Sequence, residues 1–177
     1  MKKLSQPSKQ VSMLCLQVPS YSSIAVSLPQ SRHLLPVLTC VPLAEFYGTG
    51  LTTANLELLA RFFDKYPDYA DRTFLSVKGG TIPGQLASDG GRENLRRSVD
   101  VILKTLRGTK RLDLFEPARR DPKYEIEQIA ESLNEMVKEG KFDHIGLSEV
   151  KAETIRRAHK VSAISVEKEG IPECEYG

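Results

Sequence analysis

The sequence predicts an α/β fold, and three observations predict it. Between residues 44 and 167, short apolar runs alternate with longer segments whose apolar residues recur every three or four positions. Pro67, Gly108 and Gly140 close three of the longer segments. Each new apolar run begins a few residues after such a break. Strand alternating with helix argues for parallel pairing through right-handed crossovers.

The elements follow in order. Thr52 or Thr53 can cap a first helix whose apolar face is Leu56, Leu59, Ala60 and Phe63. It ends near Tyr66-Pro67, because the residue before a proline is pushed out of helical geometry. Thr73 to Val77 reads as a buried strand that ends at Lys78-Gly79-Gly80. A second helix is expected over 92–107, with Leu95, Val99, Ile102 and Leu106 on one face and Gly108 as its C-terminal cap. Leu112 to Phe115 is the next strand. A third helix is expected over 124–139, on Ile126, Ile129, Ala130, Leu133, Met136 and Val137, and Gly140 closes it. His144 to Leu147 is a strand. Ser148 can begin a fourth helix, with Ile155 and Ala158 facing inward, and Ala163 to Val166 is a last strand.

Two closures fit this order, an open doubly wound sheet or a barrel. An open dinucleotide-binding sheet carries GxGxxG between its first strand and helix, and the chain has none. The loop from Gly79 to Gly84 lacks the Gly-Lys-Ser/Thr ending of a phosphate loop, so it is not expected to bind phosphate by itself.

Residues 1–43 differ from the rest. They are rich in Ser, Pro and Gln and hold no sustained period, which reads as an irregular leader. Their basic, acid-free composition also suits a targeting segment, although arginine is nearly absent; an irregular leader, a targeting segment and structure without a readable pattern all stand. Residues 168–177 read as an unstructured tail. The chain has 25 basic and 23 acidic residues, and residues 1–44 hold four of the basic and none of the acidic ones. The remainder is therefore slightly acidic, with no clustered basic face for a nucleic acid. No apolar run reaches the roughly 18 residues of a membrane span. Cys15, Cys40 and Cys174 lie far apart, and His33, His144 and His159 have no ligand-like spacing with them, so no metal site is expected. A reducing compartment, the cytoplasm by default, is the expected location. The oligomeric state is not legible.

Polar residues at strand ends are the candidates for chemistry, since a β/α barrel works at the mouths of its strands. Lys78 directly follows an apolar strand, where a charge needs a partner or a way to water. Glu116, Arg119 and Asp121 follow the next strand, and Ser148-Glu149 the one after. Each has a plainer reading. Lys78 can snorkel, Arg119 and Asp121 can form a loop ion pair, Ser148 can cap a helix, and Tyr47 can be a packing aromatic.

The stretches Glu45-Phe46-Tyr47-Gly48, Phe74 to Gly80, Leu112 to Phe115 with Arg119 and Asp121, and Ile145 to Glu149 stand in the order and spacing of the aldo-keto reductases. The chain resembles the fungal pyridoxal reductase branch, to which Thr53 to Ala60 and Lys65-Tyr66-Pro67 are also similar. The resemblance covers residues 44–167. It implies a partial (β/α)8 TIM barrel with about five of eight strands. It also implies NADPH-dependent reduction of a small-molecule aldehyde or ketone, with hydride delivered from the nicotinamide while a tyrosine protonates the oxygen.

The family's catalytic tyrosine falls on Tyr47 and its lysine on Lys78. An ammonium beside a phenol favours the phenolate, which brings a group of pKa about 10 nearer to neutrality. Ser148 and Glu149 fall where the family holds the nicotinamide carboxamide, most members having Asn at the second position, and Glu167 falls near the same group. Two departures matter. The family's aspartate position is Pro42, so the charge balance at Lys78 is open. The family's histidine position is Ala118, a loss the pyridoxal reductase type tolerates. An incomplete parallel sheet would leave edge N–H and C=O groups unpaired, so the chain alone is expected to be poorly stable and to bind NADPH weakly or not at all. The other reading is a catalytically inactive barrel fragment that acts through association with other proteins.

Overall fold

The computed structural model describes residues 39–47, 50–85 and 87–169, with backbone only for 39–42 and 166–169. The expected leader up to residue 38 and the tail from residue 170 lie outside the described residues. Five strands alternate with four helices: β1 Thr39–Ala44, α1 Ala54–Lys65, β2 Thr73–Gly79, α2 Arg92–Leu106, β3 Leu114–Pro117, α3 Ile126–Lys138, β4 His144–Val150, α4 Ala152–His159 and β5 Ile164–Glu169. A short 3-10 turn, Pro67–Tyr69, follows α1.

The strands pair in parallel in the order of the sequence, β1-β2-β3-β4-β5. This order decides between the two closures. A doubly wound sheet reverses its strand order at a switch point and so places helices on both faces. Here no reversal occurs among the described strands. Right-handed crossovers without reversal put every helix on one side, as in an arc of a β/α barrel. The packing agrees. Leu75, Val77, Phe115, Ile145 and Leu147 join one core with Leu56, Leu95, Val99, Ile102, Ile129 and Leu133 of the helices. Each fully buried Leu, Ile or Phe in that layer contributes roughly 1.5–3 kcal/mol.

Local chemistry sets the element ends. Helix α1 stops at Tyr66, before Pro67. Helix α2 ends on Arg107 and Gly108, both in the left-handed region, with φ of 54° and 73°. Helix α3 begins later than the periodicity suggests, at Ile126. Glu125 and Gln128 form a capping box there, in which the Glu125 N–H donates to Gln128 Oε1 at 3.0 Å.

Several expectations shift. Among the described residues, regular structure runs from Thr39 to Glu169, so the boundaries drawn at 43/44 and 167/168 fall inside β1 and β5. Strand β3 begins at Leu114 rather than Leu112. The Asp113 N–H still donates to Leu75 O at 3.2 Å, but the Leu75 N–H goes to the Asp113 carboxylate at 2.7 Å, which also pairs with Lys110 at 2.7 Å. Ser148 does not open a helix; it is the fifth residue of β4, and α4 starts at Ala152. Residues 81–88 close on a Thr81–Ser88 bridge with Gly84 at a φ of 75°, a small hairpin. No helix among the described residues is long and apolar enough to cross a membrane.

Candidate active site

Parallel register brings the polar candidates to one end of the sheet. Ala44 of β1 lies opposite Lys78 of β2, and Lys78 lies opposite Glu116 of β3. Side chains alternate across a strand, and Val77 on one side of Lys78 belongs to the helix-facing core. Lys78 and Glu116 therefore point to the opposite face, which in a barrel is the interior. The Lys78 ammonium donates to Ser148 Oγ at 2.7 Å and lies 3.9 Å from Glu116 Oε1. Glu116 and Ser148 are buried, and the Lys78 side chain keeps 25% of its exposure. A lysine at the end of an apolar strand is thus held by a carboxylate and a hydroxyl rather than left to snorkel.

Gly146 makes this cluster possible. A Cβ on it would lie 3.0 Å from both Glu116 Cβ and Leu114 Cδ2, and 3.3 Å from Glu116 Oε2. The missing side chain is the space that Glu116 occupies beside Lys78. The question raised by Pro42 also has an answer. The proline sits in β1 opposite Ser76, and the carboxylate near Lys78 comes from β3 instead.

Tyr47 stands three residues past β1, on the loop beside the end of β2, and is 53% exposed. Its hydroxyl makes no hydrogen bond with Lys78, whose hydrogen bond goes to Ser148. The loop itself is tightly tied. The Glu45 N–H donates to Lys78 O at 2.6 Å, and Asn55 Nδ2 donates to Ala44 O at 2.7 Å. The Glu45 side chain is fully buried. It accepts from Arg97 Nη1 at 2.6 Å and from Ser98 Oγ at 2.5 Å. In the sequence Glu45 shows only as the first residue of the Glu45-Phe46-Tyr47-Gly48 stretch. The available signal was on α2, where Ser98 puts a hydroxyl on the apolar stripe of Leu95, Val99 and Ile102.

Ser148 and Glu149 separate. Glu149 has a φ of 56°, in a strand whose register shifts between Ser148 and Val150. Its exposed carboxylate lies 3.2 Å from Arg119 Nε. The plainer reading of Arg119 and Asp121 as a loop ion pair does not hold. Asp121 is buried and accepts from the Gly90 and Lys123 N–H groups at 3.2 and 3.0 Å, so it binds backbone instead. Ala118 closes β3, donating its N–H to Gly79 O at 2.8 Å. The backbone of Glu167 lies opposite Leu147; its side chain is outside what is described.

Known proteins are similar to this chain. The family described as Aldo/keto reductase family matches residues 38–169. "Probable pyridoxal reductase 2" of Schizosaccharomyces pombe is 49% identical over 121 residues, which is 68% of this chain and 36% of that protein. "Aldo-keto reductase yakc [NADP(+)]" of the same yeast is 35% identical over 131 residues, 70% of this chain and 37% of that one. Among solved structures, a glycerol dehydrogenase of Gluconobacter oxydans superposes with a TM-score of 0.62 at 20% identity, covering 75% of this chain and 40% of its own. That likeness bears on the fold. The chain spans about a third of the length of the two yeast relatives.

Proposed function

The chain belongs to the aldo/keto reductase family, and we propose that it carries the Tyr47–Lys78 part of an NADPH-dependent reductase of aldehydes or ketones, of the pyridoxal reductase kind. The observation that carries this reading is the Lys78 cluster. An ammonium is held at a strand mouth by Ser148 and Glu116, next to the loop that presents an exposed Tyr47.

In this reading Tyr47 gives its phenolic proton to the carbonyl oxygen as that oxygen becomes an alcohol. Lys78 is the cation at the neighbouring strand end, whose carbonyl oxygen accepts the Glu45 N–H of the Tyr47 loop. Ser148 fixes the direction of the ammonium. NADPH, when bound, supplies the hydride. Ser148 and Glu149 would hold its carboxamide, with Glu167 nearby. Ser148 fits that group, since a hydroxyl that accepts from Lys78 still has a proton to donate to the carboxamide oxygen; the Glu149 carboxylate would have to leave Arg119 to accept from the amide N–H. The NADP(+) in the name of the S. pombe relative supports this choice of cofactor.

The test is direct. The purified chain is mixed with NADPH and pyridoxal, and absorbance at about 340 nm is followed; Tyr47→Phe is expected to lower the rate about a hundredfold or more. A variant as fast as the parent would remove Tyr47 from its role. A second reading rests on the five strands found among the described residues, where a complete barrel has eight. The chain would then be a non-catalytic barrel part acting through association with other proteins. A parent protein that neither quenches NADPH fluorescence nor reduces any carbonyl would favour it.

A further inference from the structure

We propose that Glu45 is a positioning residue: its buried carboxylate locks the Tyr47 loop and the Lys78 strand end to helix α2, and so sets the spacing of the two side chains. The proposal rests on the reading of Tyr47 and Lys78 as the reacting pair.

A fully buried carboxylate is costly unless its charge and lone pairs are met. Those of Glu45 are met by two consecutive residues of α2, Arg97 and Ser98. Both residues also bind the other loop. Ser98 Oγ accepts the Gly80 N–H at 2.9 Å, and Arg97 Nη2 donates to Thr81 O at 2.8 Å. Asn94, one turn earlier, donates to Gly80 O at 3.0 Å and accepts from Arg97 Nε at 2.9 Å. The Arg97 guanidinium also lies 5.9 Å from the ring centre of Phe46, the residue before Tyr47. One carboxylate thus joins residues 45–47 to residues 78–81 through the first two turns of α2.

The fit is close enough to dictate sequence. A Cβ on Gly79 would lie 2.3 Å from Ser98 Oγ and 2.6 Å from Phe115 Cε2, so the residue after Lys78 has to be glycine for Ser98 to reach Glu45. None of these groups is placed to react. Their effect is on distance: Tyr47 is two residues from Glu45, and Lys78 is two residues from Gly80.

Amide hydrogen exchange in the full chain tests this. The reporters are the N–H groups of Glu45 and Gly80, one in each loop, both hydrogen-bonded. With Glu45→Gln both are expected to exchange about tenfold faster, while the amides of β4 keep their protection. Acceleration of neither or of only one overturns the proposal. So does equal acceleration everywhere, the mark of a merely structural role. Should Glu45→Gln fail to fold, Ser98→Ala removes one hydroxyl from the same junction and must accelerate the same two amides. In turnover, Glu45→Gln is expected to lower kcat about tenfold with KM little changed, and Glu45→Asp to recover part of it. A parent chain without carbonyl reduction would sink the oxidoreductase reading, yet the exchange measurement would still decide the clamp.

Discussion

The Lys78 ammonium reaches across β3 to donate to the Ser148 hydroxyl at 2.7 Å, so the second and fourth strands are bonded through their side chains at one end of the sheet. Glu116, on the strand between them, stands 3.9 Å from the same ammonium. A hydrogen bond to a charged group contributes about 1.5–3 kcal/mol when shielded. With Lys78 partly open to water, Ser148→Ala should cost about 1 kcal/mol in urea unfolding. An unchanged midpoint would mean that water replaces the hydroxyl without loss.

Gly146→Ala should cost more. The new methyl would press on Glu116 Cβ and Leu114 Cδ2, both at 3.0 Å and both on a neighbouring strand with little freedom to retreat. Overpacking of this kind costs about 1–3 kcal/mol. The same change should move Glu116 away from Lys78 and slow carbonyl reduction, which separates it from a surface substitution. A variant with unaltered unfolding and turnover would show that the strands yield more easily than the distances imply.

Arg119→Ala should do the reverse. The Arg119–Glu149 pair is exposed on both sides, and such pairs contribute at most about 1 kcal/mol. Thermal unfolding should barely move. Freed from Arg119, Glu149 is expected to meet the cofactor carboxamide more readily, tightening NADPH about two- to fivefold by fluorescence titration. Weaker binding would show that Arg119 serves the cofactor itself.

Acid should destabilise the chain through its peripheral carboxylates. A hydrogen bond from Arg157 holds Glu127 below its ordinary value of 4.5, and one from Arg96 does the same for Glu139. A carboxyl whose pKa is depressed by folding adds stability above its unfolded value, and that stability is lost as pH falls through the folded value. Urea midpoints should therefore be level above about pH 5 and decline below it. Arg157→Gln should flatten part of that decline. An identical pH profile in the variant would show that Glu127 titrates alike in both states.

Much of the fold was open to a reader of the chain because it rests on local periodicity. The apolar stripes of α1, α2 and α3 and the breaks at Pro67, Gly108 and Gly140 are properties of neighbours three or four residues apart. The cluster was only half open. Lys78 and Ser148 were visible as polar residues at strand ends, but which carboxylate stands beside the lysine depends on register. Glu45 was hidden, since nothing near it in the chain says that Arg97 and Ser98, some 52 and 53 residues on, will receive it.

The order of strands and helices, and the residue types at the strand mouths, were determined by the sequence by itself, because a strand or helix reports its apolar face within a few residues. Tertiary structure alone decided that the sheet runs without reversal, that Ser148 meets Lys78 instead of starting a helix, and that Glu149 turns to Arg119. Those outcomes depend on contacts between residues tens of positions apart, where packing space and charge pairing, rather than local preference, choose the partner.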